Sequence, residues 1–277
     1  MINDFEGKVA VITGAGSGIG RGLVLGCRQA GMRVVAADVE QAALDETAAL
    51  AGGDTIGVVT DVSDGAQVTR LADRAYDEFG AVHLLCNNAG VFQAGLIWDR
   101  TVADWEWVLG VNVWGIIHGI RAFVPRMIAQ NTDGHVVNTA SLAGLVTNAF
   151  SGPYNVSKFA AVALTESLAH DLASTGAQLG ASVLVPGAVA TRIAESQRNR
   201  PSSLADGAGA EDAAFVDKSL ADITSTGKEP SEVAALVLEA VRTGQFVIPT
   251  SAGYDEQVRR RTATLLERGL PRALGFD

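Results

Sequence analysis

The apolar run Lys8–Thr13 (K-V-A-V-I-T) stops at a glycine cluster, G-A-G-S-G-I-G from Gly14 to Gly20, and a helical pattern follows to about Ala30. A short, continuously apolar run bounded by glycine reads as a strand buried on both faces. Such strands belong to parallel sheets, whose neighbours are joined by crossover helices. A glycine-rich turn between strand and helix also lets the backbone approach a diphosphate, with the positive end of the helix dipole facing its charge. The spacing here is Gly14-x-x-x-Gly18-x-Gly20. It is neither the G-x-G-x-x-G dinucleotide fingerprint nor a triphosphate loop ending in G-K-[ST]. A turn used only for tight packing is the alternative.

The strand–helix alternation continues along the chain. Further strands are expected at Arg33–Ala37, Ile56–Thr60, Val82–Cys86, His135–Ala140, Ala181–Val185 and Phe246–Ile248. Between them, helical patterns cover Gln41–Leu50, a segment capped by Asp64 and reaching Phe79, Thr101 to about Ala129, Tyr154 to about Ser174, and Pro230–Arg242. Val68, Leu71, Ala72, Ala75 and Phe79 recur at helical spacing and form one buried stripe. The expected fold is α/β: a single-domain, doubly wound Rossmann fold over residues 1–277, with a seven-stranded, mostly parallel sheet and helices on both faces. With 48% hydrophobic residues the chain can fill such a core. Residues 192–229 are polar and rich in Gly, Ser, Pro and Asp, with weak helical patterning at Asp212–Ile223. They read as a substrate lid or a decorative insertion. Residues 251–277 read as a helical tail.

Composition excludes several classes. A net charge of −10 gives no attraction to nucleic acid or an anionic membrane. Cys27 and Cys86 lie in apolar segments without C-x-x-C or a histidine cluster, as reduced thiols of a cytoplasmic protein do. The start, M-I-N-D-F-E-G-K, is acidic where a signal peptide is basic, and no uninterrupted apolar run reaches ~18 residues.

Asp38 follows the second strand, 18 residues beyond Gly20. A carboxylate there accepts both hydroxyls of an adenosine ribose and repels a 2′-phosphate. Val39 comes next, so no arginine welcomes that phosphate, and NAD is favoured over NADP. Asp38 also suits a cap for the helix starting near Glu40. Ser141 follows the fifth strand; Tyr154 and Lys158 are four residues apart. On a helix that spacing places both side chains on one face. Pro153 suits the first turn and Ser151 a cap. A free tyrosine has a pKa near ~10, and a nearby ammonium lowers it by favouring the phenolate. The tyrosine then serves as a general acid/base, with Ser141 holding a substrate oxygen beside it. Alone, Y-x-x-x-K is as compatible with a surface pair. The shared edge decides: Gly14–Gly20, Asp38, Asp61, Asn87–Gly90, Ser141 and Pro186–Thr191 each follow a strand. Ligands of open parallel sheets bind outside the carboxyl ends of the strands. Asn112, inside an apolar helix, is either a core amide bonding a neighbouring strand or the mark of a distortion that brings a polar group to the cleft.

Together these motifs resemble the classical short-chain dehydrogenase/reductase family from Lys8 to about Thr250. The resemblance rests on T-G-A-G-S-G-I-G (Thr13–Gly20), Asp38, Asp61-Val62, N-N-A-G (Asn87–Gly90), Asn112, Ser141, Y-N-V-S-K (Tyr154–Lys158) and P-G-A-V-A-T (Pro186–Thr191). It implies that Tyr154 is the catalytic acid/base and that Lys158 binds the nicotinamide ribose and lowers the Tyr154 pKa. Ser141 would orient the substrate oxygen, and Asn112 would hold a water linking Lys158 to solvent. It implies Gly14, Ser17, Gly18, Ile19 and Gly20 around the diphosphate, Asp38 on the adenosine ribose, and Asp61 and Val62 on the adenine. Asn88 and Gly90 would line the cofactor path, with Pro186, Gly187, Val189 and Thr191 at the nicotinamide end. The implied cofactor is NAD(H), which performs the hydride chemistry without a metal. The resemblance also implies a homo-oligomer, tetramer or dimer, packed through the Asn112 and Tyr154 helices. Ala160, Ala161, Ala163 and Ala169 suit close helix approach or the parent sheet.

Loop order suggests Phe92, Trp98, Leu142, Leu145, Phe150, Ala188 and the lid as substrate contacts. These are mostly apolar, so the expected substrate is a hydrophobic secondary alcohol or its ketone; Arg192, Arg198 or Arg200 in the lid would reverse that polarity. An NADP-dependent carbonyl or 3-oxoacyl reductase is the alternative that Asp38 opposes. A nucleotide-sensing regulator is the alternative that the intact Ser141, Tyr154 and Lys158 oppose.

Overall fold

The computed structural model describes residues 2–205, 211–251 and 253–272. Parts of the expected lid (206–210) and tail (252 and 273–277) lie outside the described residues. The chain runs β1 (Val9–Thr13), α1 (Gly18–Gln29), β2 (Arg33–Asp38), α2 (Gln41–Ala51), β3 (Thr55–Val59), α3 (Gly65–Phe79) and β4 (Leu84–Asn87). It continues through α4 (Val102–Leu109), α5 (Gly115–Gln130), β5 (Gly134–Thr139), α6 (Gly152–Thr175) and β6 (Leu179–Val185). α7 (Glu211–Ser225), α8 (Pro230–Thr243), β7 (Val247–Pro249) and α9 (Tyr254–Leu266) follow. Among the described residues seven strands form one sheet in the order β3-β2-β1-β4-β5-β6-β7. Every pairing is parallel. β1 lies between β2 and β4, so the order reverses direction there and opens a crevice at the strand ends.

The sheet is buried on both faces because side chains alternate along each strand. Ala10 and Ile12 of β1 pack with Leu23, Val24 and Cys27 of α1 and Val233 and Val237 of α8. Val9 and Val11 face Val68 and Leu71 of α3 and Phe123 and Met127 of α5. Each fully buried leucine or isoleucine in these layers contributes roughly 1.5–3 kcal/mol of transfer free energy. Both cysteines are buried and free; burial pushes the Cys27 thiol up to about 12.

Local rules explain the helix starts. The Asp64 carboxylate accepts from the Ala66 and Gln67 amides and caps α3. Thr101 and Asp104 form a reciprocal capping box on α4. Ser151 occupies the cap position of α6, but its hydroxyl donates to the Ala149 carbonyl and makes no cap bond. The long helix expected from Thr101 is broken by a π-helical turn at Gly110–Trp114, centred on Asn112. The run Val102–Gln130 is long and apolar enough to cross a membrane by length and composition. Here Trp107, Val108, Ile116, Phe123 and Met127 are buried inside the fold.

The segment expected as a lid is partly fastened. Short 3-10 turns at Ile193–Asn199 and Ser202–Leu204 precede α7. Arg200 donates to Asp104 at 2.6 Å, with both side chains almost fully buried, and lies over the Trp107 ring. The Phe92 amide donates to the Ser196 hydroxyl at 3.1 Å.

Candidate active site

The carboxyl edge of the sheet encloses a cavity of about 680 Å³. One end is the glycine turn. Gly14 has φ +66, and a Cβ on Gly20 would overlap the Gly14 carbonyl oxygen, so the turn closes only with glycine. Ser17, at the cap position of α1, makes no side-chain cap bond, and the first turn carries no acidic residue. The N–H groups and positive dipole end of α1 therefore meet the cavity along Ser17–Gly20.

Asp38 ends β2 beside this turn. Its Oδ2 accepts from the Gly16 amide at 2.8 Å and its Oδ1 from the Glu40 amide at 3.0 Å. The carboxylate thus braces the glycine turn and the entry to α2, while Asp38 also lines the cavity. Asp61 accepts from the Ser63 amide and hydroxyl, and Val62 lies beside it on the same wall.

The two strand-end asparagines tie neighbouring strands together. Asn87 donates to Asn138 at 2.9 Å, which donates to Thr165 of α6 at 3.1 Å. Asn88 donates to the Thr13 carbonyl at 3.0 Å and accepts from the Thr139 hydroxyl at 3.2 Å. This ladder fixes β1, β4, β5 and α6 relative to one another beneath the site.

Ser141, Tyr154 and Lys158 all line this cavity. The Ser141 hydroxyl accepts from the Ala143 amide at 3.1 Å, and its side chain acts to lower the Tyr154 pKa. The Phe92 ring stands edge-on to Tyr154 with centroids 5.0 Å apart. Lys158 is buried; its Nζ donates to the Thr139 carbonyl at 3.0 Å and lies 5.5 Å from the Tyr154 ring centroid. Burial pushes the Lys158 ammonium down to about 8. Burial also raises the Tyr154 phenol above its ordinary value, with the Ser141 side chain acting against it. Among the protein's own groups, burial of the phenolate is the larger cause at Tyr154, and Lys158 Nζ is turned to a backbone carbonyl.

Asn112 is a buried amide on a distorted turn, bonded to the loop after β4 and to α6, and is not among the residues lining the cavity. Its Oδ1 accepts from the Val91 amide at 2.8 Å, and its Nδ2 donates to the Val91 carbonyl and the Ser157 hydroxyl, each at 2.9 Å. A π turn presents that amide to the β4 loop. A Cβ on Gly90 would lie 3.4 Å from both Asn112 Oδ1 and Lys158 Nζ, so both side chains border Gly90. Pro186, Gly187, Val189 and Thr191 line the wall after β6.

Of the expected substrate contacts, Phe92, Leu142 and Ala188 line the cavity. Trp98, Phe150 and Leu145 are not among its lining residues. Trp98 is 75% exposed on a 3-10 turn at Ile97–Asp99. Phe150 sits at the bend before α6 with φ +58, and Leu145 packs against the core beside Ala161 and Val183. Loop order alone cannot tell which way a loop residue points. Sequence reading missed Asn148, Val216, Leu220 and Gln257, which do line the cavity. Val216 and Leu220 of α7 pack near Phe92 and Tyr154; their helical spacing was legible, their target was not. The lid arginines do not make the pocket cationic. Arg200 pairs with Asp104, Arg192 with Glu195, and Arg198 with Glu40.

The family model for short chain dehydrogenases matches residues 8–202. The C alpha-dehydrogenase of Sphingobium sp. (strain SYK-6) is 37% identical over 253 residues, covering 90% of this chain and 82% of that protein. The 1-deoxy-11-beta-hydroxypentalenate dehydrogenase of Streptomyces exfoliatus is 35% identical over 259 residues, covering 92% of this chain and 86% of that one. A short-chain dehydrogenase/reductase from Burkholderia phymatum, solved in complex with NAD, superimposes with a TM-score of 0.96 at 45% identity over 98% of each chain. Its matched motifs, its parallel sheet and these relatives place the chain in the short-chain dehydrogenase family of oxidoreductases.

Proposed function

We propose that this oxidoreductase transfers hydride between NAD(H) and a hydrophobic secondary alcohol or its ketone, with Tyr154 as general acid/base. The observation that carries this reading is the convergence of Ser141, Tyr154 and Lys158 in the cavity that also holds the glycine turn and Asp38. The turn, the bare helix start and the Asp38 carboxylate fit a dinucleotide whose adenosine ribose bears no 2′-phosphate. The NAD complex of the Burkholderia phymatum relative supports that choice. Bound cofactor would supply the hydride chemistry and, when oxidised, a positive ring.

The chain's own residues handle the proton. The Ser141 and Tyr154 hydroxyls, both in the cavity lining, offer two groups to one substrate oxygen. Tyr154 takes the hydroxyl proton in oxidation and returns it in reduction. Lys158, held by the Thr139 carbonyl, contributes a cation beside the phenol and donors for a ribose. Asn112 positions the Gly90–Val91 loop. Phe92, Leu142, Val216 and Leu220 favour an apolar substrate and exclude water. The same reading makes the protein a cytoplasmic homo-oligomer, tetramer or dimer. Half-exposed Trp114 and Val156, on the π turn before α5 and on α6, support contact through those helices.

The test is a paired assay of NAD against NADP over a panel of hydrophobic secondary alcohols, with Tyr154→Phe as control. Turnover with NAD that Tyr154→Phe abolishes is expected. Preference for NADP would refute the Asp38 argument, and turnover confined to small polar polyols would refute the substrate class.

A further inference from the structure

The segment 192–200 crosses the cofactor end of the cavity as well as its substrate end. It leaves β6, and β2 lies four positions away from β6 in the sheet order. The segment nevertheless reaches the loop after β2. At its start Thr191 packs on the glycine turn: a Cβ on Gly18 would lie 2.8 Å from Thr191 Cγ2. Further on, Arg198 Nε and Asn199 Nδ2 both donate to Glu40 Oε1, at 2.9 and 3.0 Å. Glu40 is two residues beyond Asp38, and its amide donates to the Asp38 carboxylate at 3.0 Å. The segment thus spans from the glycine turn to the carboxylate proposed for the adenosine ribose. Arg192, Arg198 and Asn199 line the cavity together with Asp38 and Val39.

The segment is fastened at two points of unequal strength. Arg198 Nη1 donates to the Arg192 and Glu195 carbonyls, each at 3.0 Å, so the turn is folded around this side chain. At the far end Arg200 pairs with Asp104 at 2.6 Å, both side chains almost fully buried, and donates to Gln93 at 3.3 Å. Separating that pair would strand a charge in the interior. The Arg198–Glu40 pair is different. Its side chains are 24% and 31% exposed, so water replaces each bond as it breaks. Opening therefore starts at Glu40 and pivots about Arg200. Glu40 does not line the cavity; it meets the cofactor site only through this segment and the entry to α2.

We propose that residues 192–200 form a strap over the adenosine half of the cofactor, and that Glu40 is a positioning residue whose bonds to Arg198 and Asn199 hold the strap shut. The clasp sets how fast the dinucleotide leaves. While it is closed, Arg198 and Asn199 cover the adenosine ribose at Asp38, and exit requires both bonds to Glu40 to break. The segment expected to cover the substrate is then in part a cover for the cofactor. This rests on the NAD(H) reading proposed above and extends it to the exchange of cofactor at the same site.

NADH release, followed by stopped-flow fluorescence with excess NAD as the chase, tests the strap. Glu40→Ala and Arg198→Met are each expected to speed release about 3- to 10-fold. Glu40→Gln keeps an acceptor for Asn199 and is expected to fall between Glu40→Ala and the unmodified protein. The double variant is expected to release no faster than Glu40→Ala alone, since both substitutions open one clasp. Raising KCl from about 50 to about 500 mM should narrow the gap between the unmodified protein and Arg198→Met. In the cofactor-free protein, amide hydrogen exchange across 192–200 is expected to be faster in Glu40→Ala. Circular dichroism checks the fold of each variant; Arg198→Met, at a partly exposed side chain, carries the test if Glu40→Ala fails to fold. Release unchanged in both single variants would overturn the strap and leave the cofactor reading intact. So would faster release in Glu40→Ala alone, which would place the effect in α2, and so would additive effects in the double variant. No binding of NADH by the unmodified protein would instead refute the cofactor reading on which the strap rests.

Discussion

Burying Lys158 should leave a measurable imprint on the pH dependence of stability. Its Nζ lies in the interior with the Thr139 carbonyl as its hydrogen-bond acceptor, and burial brings its pKa from 10.5 to about 8. Below pH 8 both the folded and unfolded chains carry the ammonium, so the full cost of its burial is present and stability is lowest with respect to this group. Between about pH 8 and 10.5 the folded chain releases the proton while the unfolded chain keeps it. The unfolded state then binds more protons, so the Lys158 contribution to stability rises with pH across that window. The gap corresponds to roughly 3 kcal/mol. Tyr154, Cys27 and Cys86, all raised by burial, act with the opposite sign, since their unfolded forms ionise first at alkaline pH. Cys27 and Cys86 are common to the protein and to Lys158→Met and cancel in the difference, and repeating the comparison in a Tyr154→Phe background removes the neighbouring phenol. Urea unfolding of both proteins from pH 7 to 10.5 is the assay. The unmodified protein is expected to gain about 3 kcal/mol on Lys158→Met across the range, or very roughly 6–12 °C in relative Tm. Two curves that stay parallel within about 0.5 kcal/mol would refute the argument, because a solvated ammonium has no reason to titrate differently in the two states.

Three further outcomes follow from the packing. Asn112→Ala strips the Val91 amide and carbonyl of their partners and is expected to cost about 2–4 kcal/mol in urea unfolding; a cost below about 1 kcal/mol would show that the β4 loop does not depend on that amide. Arg200→Met leaves the buried Asp104 carboxylate without its ion pair and should cost about 3–5 kcal/mol, part of which Asp104→Asn in the same chain restores; strictly additive losses would contradict a buried pair. Gly20→Ala forces a methyl group into the Gly14 carbonyl. It is expected to weaken NADH binding, read by fluorescence titration, by at least about tenfold through displacement of the glycine turn; unchanged affinity would show that the turn does not meet the cofactor.

The parallel sheet and its edge were legible because their causes are local or periodic. Unbroken apolar runs such as Val9–Thr13 bury on both faces, a glycine cluster after a strand closes a tight turn, and Asp64 caps the helix that it precedes. Ser141, Tyr154, Lys158 and Asp38 could be placed at one edge because every parallel strand delivers its carboxyl end to the same side. The direction of irregular segments was not legible. Trp98 points to solvent, whereas Gln257, far along the chain, reaches the cavity because Tyr254 and Arg261 dock α9 on the loop after β6 and on α6. Arg200 reads as a lid cation until Asp104, distant in sequence, neutralises it in the interior. The balance at Tyr154 is likewise tertiary: residue spacing brings Lys158 alongside, but the dryness of the cleft sets the sign of the shift. Periodicity and backbone chemistry act within a few residues and can be read along a chain, whereas burial, long-range pairing and desolvation depend on which distant surfaces meet.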